Sequence, residues 1–356
     1  MRADNSSGSK SLWRLTALGW CVTLLSGGAS LAGNAAPPEQ RLGTALLAAA
    51  GEGNQERVKK LLEQGTDANA AGEGGQTPMI AALNFRPAPD APDPASDIVK
   101  LLLAHGAAVN AADAHGDTAL IIASQHNDLP VLQLLLDKGA QAAATNHVGA
   151  TALMLAVLGV SEGGSVHAES VVKLLLKHHA EINARDAHGQ TALFYAAREQ
   201  FSEAGGFLGN PRVVQMLLEN GADSNVRDLD GQTALLHDAR QRPIVSGAPL
   251  EILGRLLARK ADVNAADKKG DTTLMVAAAR GRRDFAELLI GKGATLDVTN
   301  LNGDCALRLA IEAGEPEITE LLLAKGAGSA RQHEKHCVEC RAYSKWDGSR
   351  RDGRVV

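Results

Sequence analysis

Aromatic side chains are scarce: Phe, Trp and Tyr make up 3% of 356 residues, as five Phe, three Trp and two Tyr. A globule of this length normally fills a deep core with such rings, so the interior here must be thin and built from short aliphatic side chains. The scarcity also removes the platforms on which unpaired bases stack. Positive charge is not concentrated in the body of the chain. Residues 1–32 carry net +2 and residues 331–356 net +3 against −5 for the whole, which leaves −10 on the residues between. Phosphate backbones need clustered Lys and Arg, so nucleic acid is excluded as the main partner. The chain also lacks a Gly-x-Ser-x-Gly elbow, a Gly-rich phosphate loop ending in Lys-Ser/Thr, and carboxylate pairs beyond those a repeat explains. No catalysis and no cofactor are expected. Four cysteines occur, at 21, 305, 337 and 340. Cys305 is expected to be a small core residue.

One long apolar run exists, Leu15 to Leu25, preceded by Arg2, Lys10 and Arg14 and followed by the small residues Ser26 to Ala36. That order is expected of a signal peptide and short linker over 1–36, cleaved near Ala32 or Ala35, placing the protein in the periplasm or outside the cell. The alternative is an uncleaved anchor helix, the one case in which a membrane would be a partner. Trp20 stands where a lipoprotein box before Cys21 needs a small residue.

What fills the rest is repetition. A glycine stands two residues before a Thr, once a Cys, in Gly75-Gln-Thr77, Gly116-Asp-Thr118, Gly149-Ala-Thr151, Gly189-Gln-Thr191, Gly231-Gln-Thr233, Gly270-Asp-Thr272 and Gly303-Asp-Cys305. A degenerate copy starts at Thr44. From Thr44 the spacings are 33, 41, 33, 40, 42, 39 and 33, a unit of 33 with inserts, which marks a stacked array. Residues 113–145 show the logic. Gly116 turns the chain, Thr118 caps a first helix over Ala119–Ser124, and Leu129–Lys138 form a second with an apolar stripe of Val131, Leu134 and Leu135. Gly139 ends it in a left-handed cap. Gly65, Gly106, Gly221, Gly293 and Gly326 recur at that cap, whereas His179 and Lys260 replace glycine and should be strained there.

The stretches Asp113-x-x-Gly116-x-Thr118-Ala-Leu120 and Val171-Val-Lys-Leu-Leu-Leu176, and the endings Gly106-Ala-Ala-Val-Asn110, Gly221-Ala-Asp-Ser-Asn225 and Ala261-Asp-Val-Asn264, closely resemble the ankyrin repeat. The resemblance covers about residues 41–328, with units starting near 41, 74, 113, 146, 186, 228, 267 and 300. It implies an all-α, right-handed solenoid of about eight helix–turn–helix units with β-hairpin-like fingers, binding another protein on a concave face. Only Thr77-Pro78 keeps the family's Pro. The family's His after Leu is missing from every unit.

Function is therefore expected to be non-catalytic protein binding after export, and candidate contacts lie in two places. The inserts at roughly 84–97, 159–169, 199–211 and 240–249 all fall between the helices of a unit and would project from one edge. They hold Phe85, Phe201 and Phe207, which either meet a partner or lid their own helices. The family's concave face points instead to the finger tips, including His115, His147, His188, Asp230, Lys268 and Lys269. Layers about 8–10 Å apart are too widely spaced for one ion to bridge successive tip histidines. The basic tail, 329–356, carries His333-Glu-Lys-His336-Cys337-Val-Glu-Cys340. It reads as a flexible tail, a Cys337–Cys340 disulfide, or a weak metal clip using His333, Cys337 and Cys340. The alternative function follows: a redox or metal-handling protein whose repeats are a docking arm.

Overall fold

The computed structural model describes residues 38–87, 93–158, 165–198, 210–240 and 250–328. Among them are sixteen α-helices and no strand longer than an isolated bridge, an all-α repeat solenoid. Helix α1 (Pro38–Gly51) is followed by α2 (Gln55–Glu63), α3 (Pro78–Asn84) by α4 (Ala95–Ala104), α5 (Ala119–Gln125) by α6 (Leu129–Asp137), and α7 (Ala152–Leu158) by α8 (Ser165–Lys177). The succession continues with α9 (Ala192–Ala196) and α10 (Pro211–Glu219), α11 (Ala234–Arg240) and α12 (Glu251–Ala258), α13 (Thr273–Ala279) and α14 (Arg283–Gly291), and α15 (Ala306–Ala313) and α16 (Pro316–Ala324). Odd-numbered helices pack on one another in order, and the even-numbered ones form a second layer, so each pair leans on its neighbours as the repeat requires.

The local chemistry explains where each helix begins and ends. The hydroxyls of Thr77, Thr118, Thr151, Thr233 and Thr272 each accept an amide three residues on at 3.3 Å, satisfying an otherwise orphaned donor. Thr191 departs from the expected cap: its buried hydroxyl accepts nothing, and α9 has five residues against seven in α5, with the Phe194 amide bonded to the Thr191 carbonyl at 3.0 Å. At the other end, Gly139 is left-handed at φ +86°, and the Ala140 amide reaches back to the Leu135 carbonyl at 2.9 Å. His179 and Lys260 hold the same geometry at φ +61° and +63°, with Ala180 and Ala261 making the equivalent bonds.

Five residues after Thr77, Thr118, Thr151, Thr191, Thr272 and Cys305, and after Thr44 in the middle of α1, where successive layers meet, Ala82, Ala123, Ala156, Ala196, Ala277, Ala310 and Ala49 are essentially solvent-free. Only a small side chain lets successive inner helices approach so closely. One position breaks the row: Asp238, 1% exposed, whose carbonyl accepts the buried Arg282 guanidinium at 2.8 Å. Much of the inserts expected between the helices of a pair lies outside the described residues, and some of their expected residues are helical: Asn84 ends α3, 95–97 open α4, Pro211 opens α10 and Arg240 ends α11. Residues 165–169, expected in the insert, belong to α8, which runs 13 residues against 9 in α6. The added sequence has lengthened a helix rather than only a loop.

Candidate functional site

Two surfaces emerge from this stack, a ladder of loop tips and a strip along the inner helices. Six of the tips are folded by an Asp or Asn whose Oδ1 accepts two amides of its own turn, and in the first tip Gly72 takes that position. Asp113 takes those of His115 and Asp117 at 2.8 and 3.0 Å, and Asp186, Asp228, Asp267, Asn146 and Asn300 repeat the clamp. These amides are thereby withdrawn from cross-strand pairing. The expected hairpin fingers are turns closed at most by a single bridge, as at Ala112–Thr118, Thr145–Thr151 and Ala266–Thr272.

Successive tips are joined by their backbones. Ala114 donates to the carbonyl of Gly74, His147 to His115, Ala187 to Val148, Leu229 to His188, Lys268 to Asp230 and Leu301 to Lys269, at 2.6–3.0 Å. The helix-layer distance used to argue against a bridging ion is therefore too long here: neighbouring tips are in hydrogen-bond contact. Even so, no group of three or more His, Cys, Asp or Glu is placed to hold a metal among the described residues. His115, His188 and Lys269 present exposed side chains along this ladder, beside the exposed apolar Val148, Leu229 and Leu301. Phe85 sits elsewhere. Its ring lies against Gly53 of the preceding turn, where an added Cβ would come within 2.6 Å of it, so the side chain covers its neighbouring unit. Phe201, Phe207, His333, Cys337 and Cys340 lie outside the described residues, as do residues 1–36 and the tail from 329.

Two rows of the inner helices, four and seven residues after each capping residue, lie one helical turn apart on the same face; in the first Ala81, Ile122, Tyr195 and Val276 are buried, while the second is exposed or half-exposed. In most units they carry little chemistry: Ala81 and Asn84, Ile122 and Gln125, Leu155 and Leu158, Val276 and Ala279, Leu309 and Glu312. In α9 and α11 the same rows hold Tyr195 with Arg198, and His237 with Arg240. The buried Tyr195 hydroxyl donates to Asp186 Oδ2 at 2.5 Å, and its burial and that bond hold the phenol neutral, far above its ordinary pKa. The Arg198 guanidinium lies over the Tyr195 ring at 5.3 Å. Arg240 Nη2 bonds Asp267 Oδ2 at 2.5 Å and Asp271 Oδ2 at 3.3 Å. Between the two arginines, His237 packs edge-on against Phe194 at 6.0 Å, and its pKa is pulled down to about 4 by burial and then by Arg198 and Arg240.

A family model for ankyrin repeats matches the chain in three copies, over residues 93–146, 142–228 and 236–332. The chain belongs to the ankyrin-repeat family. No curated protein matches it. Ankyrin repeats are generally protein–protein interaction modules and are typically non-catalytic. Helices α1 to α3, before the first matched residue, pack in the same manner as the matched ankyrin units. No described helix is long and apolar enough to cross a membrane.

Within this ankyrin array, the sequence reading overlooked Tyr195, Arg198, His237 and Arg240. The signal was available as a fixed offset: Thr191 and Thr233 are followed four residues later by Tyr and His, and seven residues later by Arg both times.

Proposed function

We propose that the array is a non-catalytic scaffold that holds a partner protein along its inner helices, centred on Tyr195, Arg198, His237 and Arg240. The observation that carries this reading is the concentration of aromatic and guanidinium groups on two adjacent units of rows that elsewhere hold mainly small or aliphatic residues. Tyr and Arg are the residue types most often found carrying interface energy. The flanking contacts to Asp186 and Asp267 hold these side chains in place before any partner arrives.

The scaffold acts after export, in the periplasm or outside the cell. Support comes from the basic residues, apolar run and small residues ordered along 1–36. Affinity capture from the extracytoplasmic fraction tests both parts. Arg198→Ala should lose a protein that wild type retains, whereas Phe201→Ala/Phe207→Ala should keep it. Loss in the Phe variant alone would move the site to the inserts. The redox or metal-handling reading of Cys337 and Cys340 predicts instead that deleting residues 331–356 abolishes capture.

A further inference from the structure

Six residues before Thr77 and each later capping residue stands Ala71, Ala112, Thr145, Arg185, Arg227, Ala266 or Thr299. Arginine fills that register only at the two tips that lead into α9 and α11, the helices that carry the strip. Arg185 lies across its own tip, where Nε donates to the Gly189 carbonyl at 3.2 Å, and its Nη2 donates to the backbone carbonyl of Arg227 in the next unit. Arg227 repeats the reach, its Nη1 donating to the Gly231 carbonyl at 3.1 Å and to the Ala266 carbonyl beyond. Arg185 adjoins Asp186, which holds the Tyr195 hydroxyl, and Ala266 adjoins Asp267, which holds Arg240. Two guanidinium bridges, joined through the backbone at Arg227, therefore connect the carboxylate supporting one end of the strip to the carboxylate supporting the other. Tips with Ala112, Thr145 or Ala266 at this register close instead by a backbone bridge to their capping Thr, and those side chains are too short to reach the next unit. A guanidinium presents its donors in a fixed plane and can hold two carbonyls at one spacing, which an ammonium on a flexible stem does not.

We propose that Arg185 and Arg227 are positioning residues that lock Asp186 and Asp267 in one register, so that the partner meets a surface already assembled across two units. The proposal rests on the inner-helix reading above and adds what fixes the geometry of that site. Both arginines are exposed at the tips and lie off the inner-helix rows, so they act through the two aspartates. The backbone bonds between tips do not distinguish these joints. Ala187 donates to Val148 and Leu229 to His188 at 2.8 Å in both cases, yet the first joint has Thr145 at the bracing register and the second has Arg185. Side chains held before association lose less freedom when the partner binds.

Amide hydrogen exchange on the full chain tests the assignment, with Ala187 as the internal reference. In wild type the Leu229 and Lys268 amides should exchange about tenfold more slowly than that of Ala187. Arg185→Gln should bring Leu229 to the Ala187 rate and Arg227→Gln should do the same for Lys268, while Ala187 itself stays unchanged. Arg227→Lys keeps the charge but not the fork and should fall between. A second readout follows the strip: nitration of Tyr195 by tetranitromethane at about pH 8, read from the mass of its peptide, should be slow in wild type and about tenfold faster in Arg185→Gln. A brace confined to the tips would leave that rate alone. Melting curves on each variant show that the fold is retained, and the wild-type comparison needs no variant. Equal exchange at Ala187, Leu229 and Lys268 in wild type, a uniform rise at all tips in either glutamine variant, or unchanged nitration in Arg185→Gln would each overturn the assignment. The capture experiment separates this from the broader reading. If Arg198→Ala loses the partner while Leu229 and Lys268 exchange like Ala187, the inner-helix site stands and its bracing falls. If the exchange and nitration results hold while Arg198→Ala retains the partner, the brace stands and the inner-helix reading falls.

Discussion

Asn110 accepts the amide of Gln141 at 2.9 Å while its own side-chain amide donates to the Gly139 carbonyl at 3.2 Å, so one side chain stitches two units together from 29 to 31 positions away. Asn69, Asn183, Asn225 and Asn264 make the same pair of bonds at their joints. The register places Ala143 at the equivalent point, and there the stitch is missing. Ala143→Asn should supply bonds to the His179 carbonyl and the Glu181 amide. With each exposed hydrogen bond contributing about 0.5–1.5 kcal/mol, a gain near 1 kcal/mol is expected. An unchanged denaturant midpoint would show that the neighbouring joint is too wide for the bonds to form.

Left-handed backbone at His179 and Lys260 implies a second gain. Glycine at either site removes a Cβ clash of about 1–2 kcal/mol, part of which is offset by the extra freedom of glycine in the unfolded chain. His179→Gly and Lys260→Gly should each raise the melting temperature. A fall for both would contradict the left-handed φ values of +61° and +63°.

Gly116 and Gly139 have similar φ, +78° and +86°, yet different surroundings. A Cβ at Gly116 would meet the His147 backbone nitrogen at 2.9 Å, whereas at Gly139 nothing lies within 4 Å. Gly139→Ala should therefore show only backbone strain, about 1 kcal/mol. Gly116→Ala should lose more, because the next tip must move and break the bond between His147 and His115. Equal losses in the two variants would mean that the tip ladder contributes nothing to stability.

Two histidines set a pH dependence. Burial, then Arg86, pulls His126 down to about 4 against the weaker opposing pull of Asp93, and His237 is pulled to about the same value by burial, Arg198 and Arg240. Both folded values lie below the ordinary 6.5, so protons bind the unfolded chain first. The stability they contribute is fully present above pH 6.5 and is lost as pH falls toward 4. Asp117 and Asp128, raised from 3.8 mainly by burial, act in the opposite direction. The melting temperature should drop between pH 7 and pH 5, and His126→Gln/His237→Gln should flatten that drop. An identical slope in the double variant would rule the histidines out as its source.

The repeat was legible because its punctuation is local. Thr118 caps, Gly116 turns and Gly139 stops, and each acts within a few bonds of its own position. The strip was not, although Tyr195 and Arg198 stand in plain sight. Which side chains share a face depends on helical phase counted from the capping residue, and the alternation of Ala and Leu conceals that phase until the inner row of Ala49, Ala82 and Ala123 is seen packed. The rings of the inserts drew attention to Phe85, which instead covers Gly53. The tips misled for another reason, since layer spacing measured between helix axes says little about loops that bond to each other directly.

Every joint in the tip ladder points the same way, each loop giving its amide to the one before and offering its carbonyl to the one after. A seam with a single polarity has no natural midpoint and no preferred length. Whole modules could be spliced out or duplicated with one such bond to re-form at the cut, so the extent of this binding surface is open to change by recombination without redesign of the joints themselves.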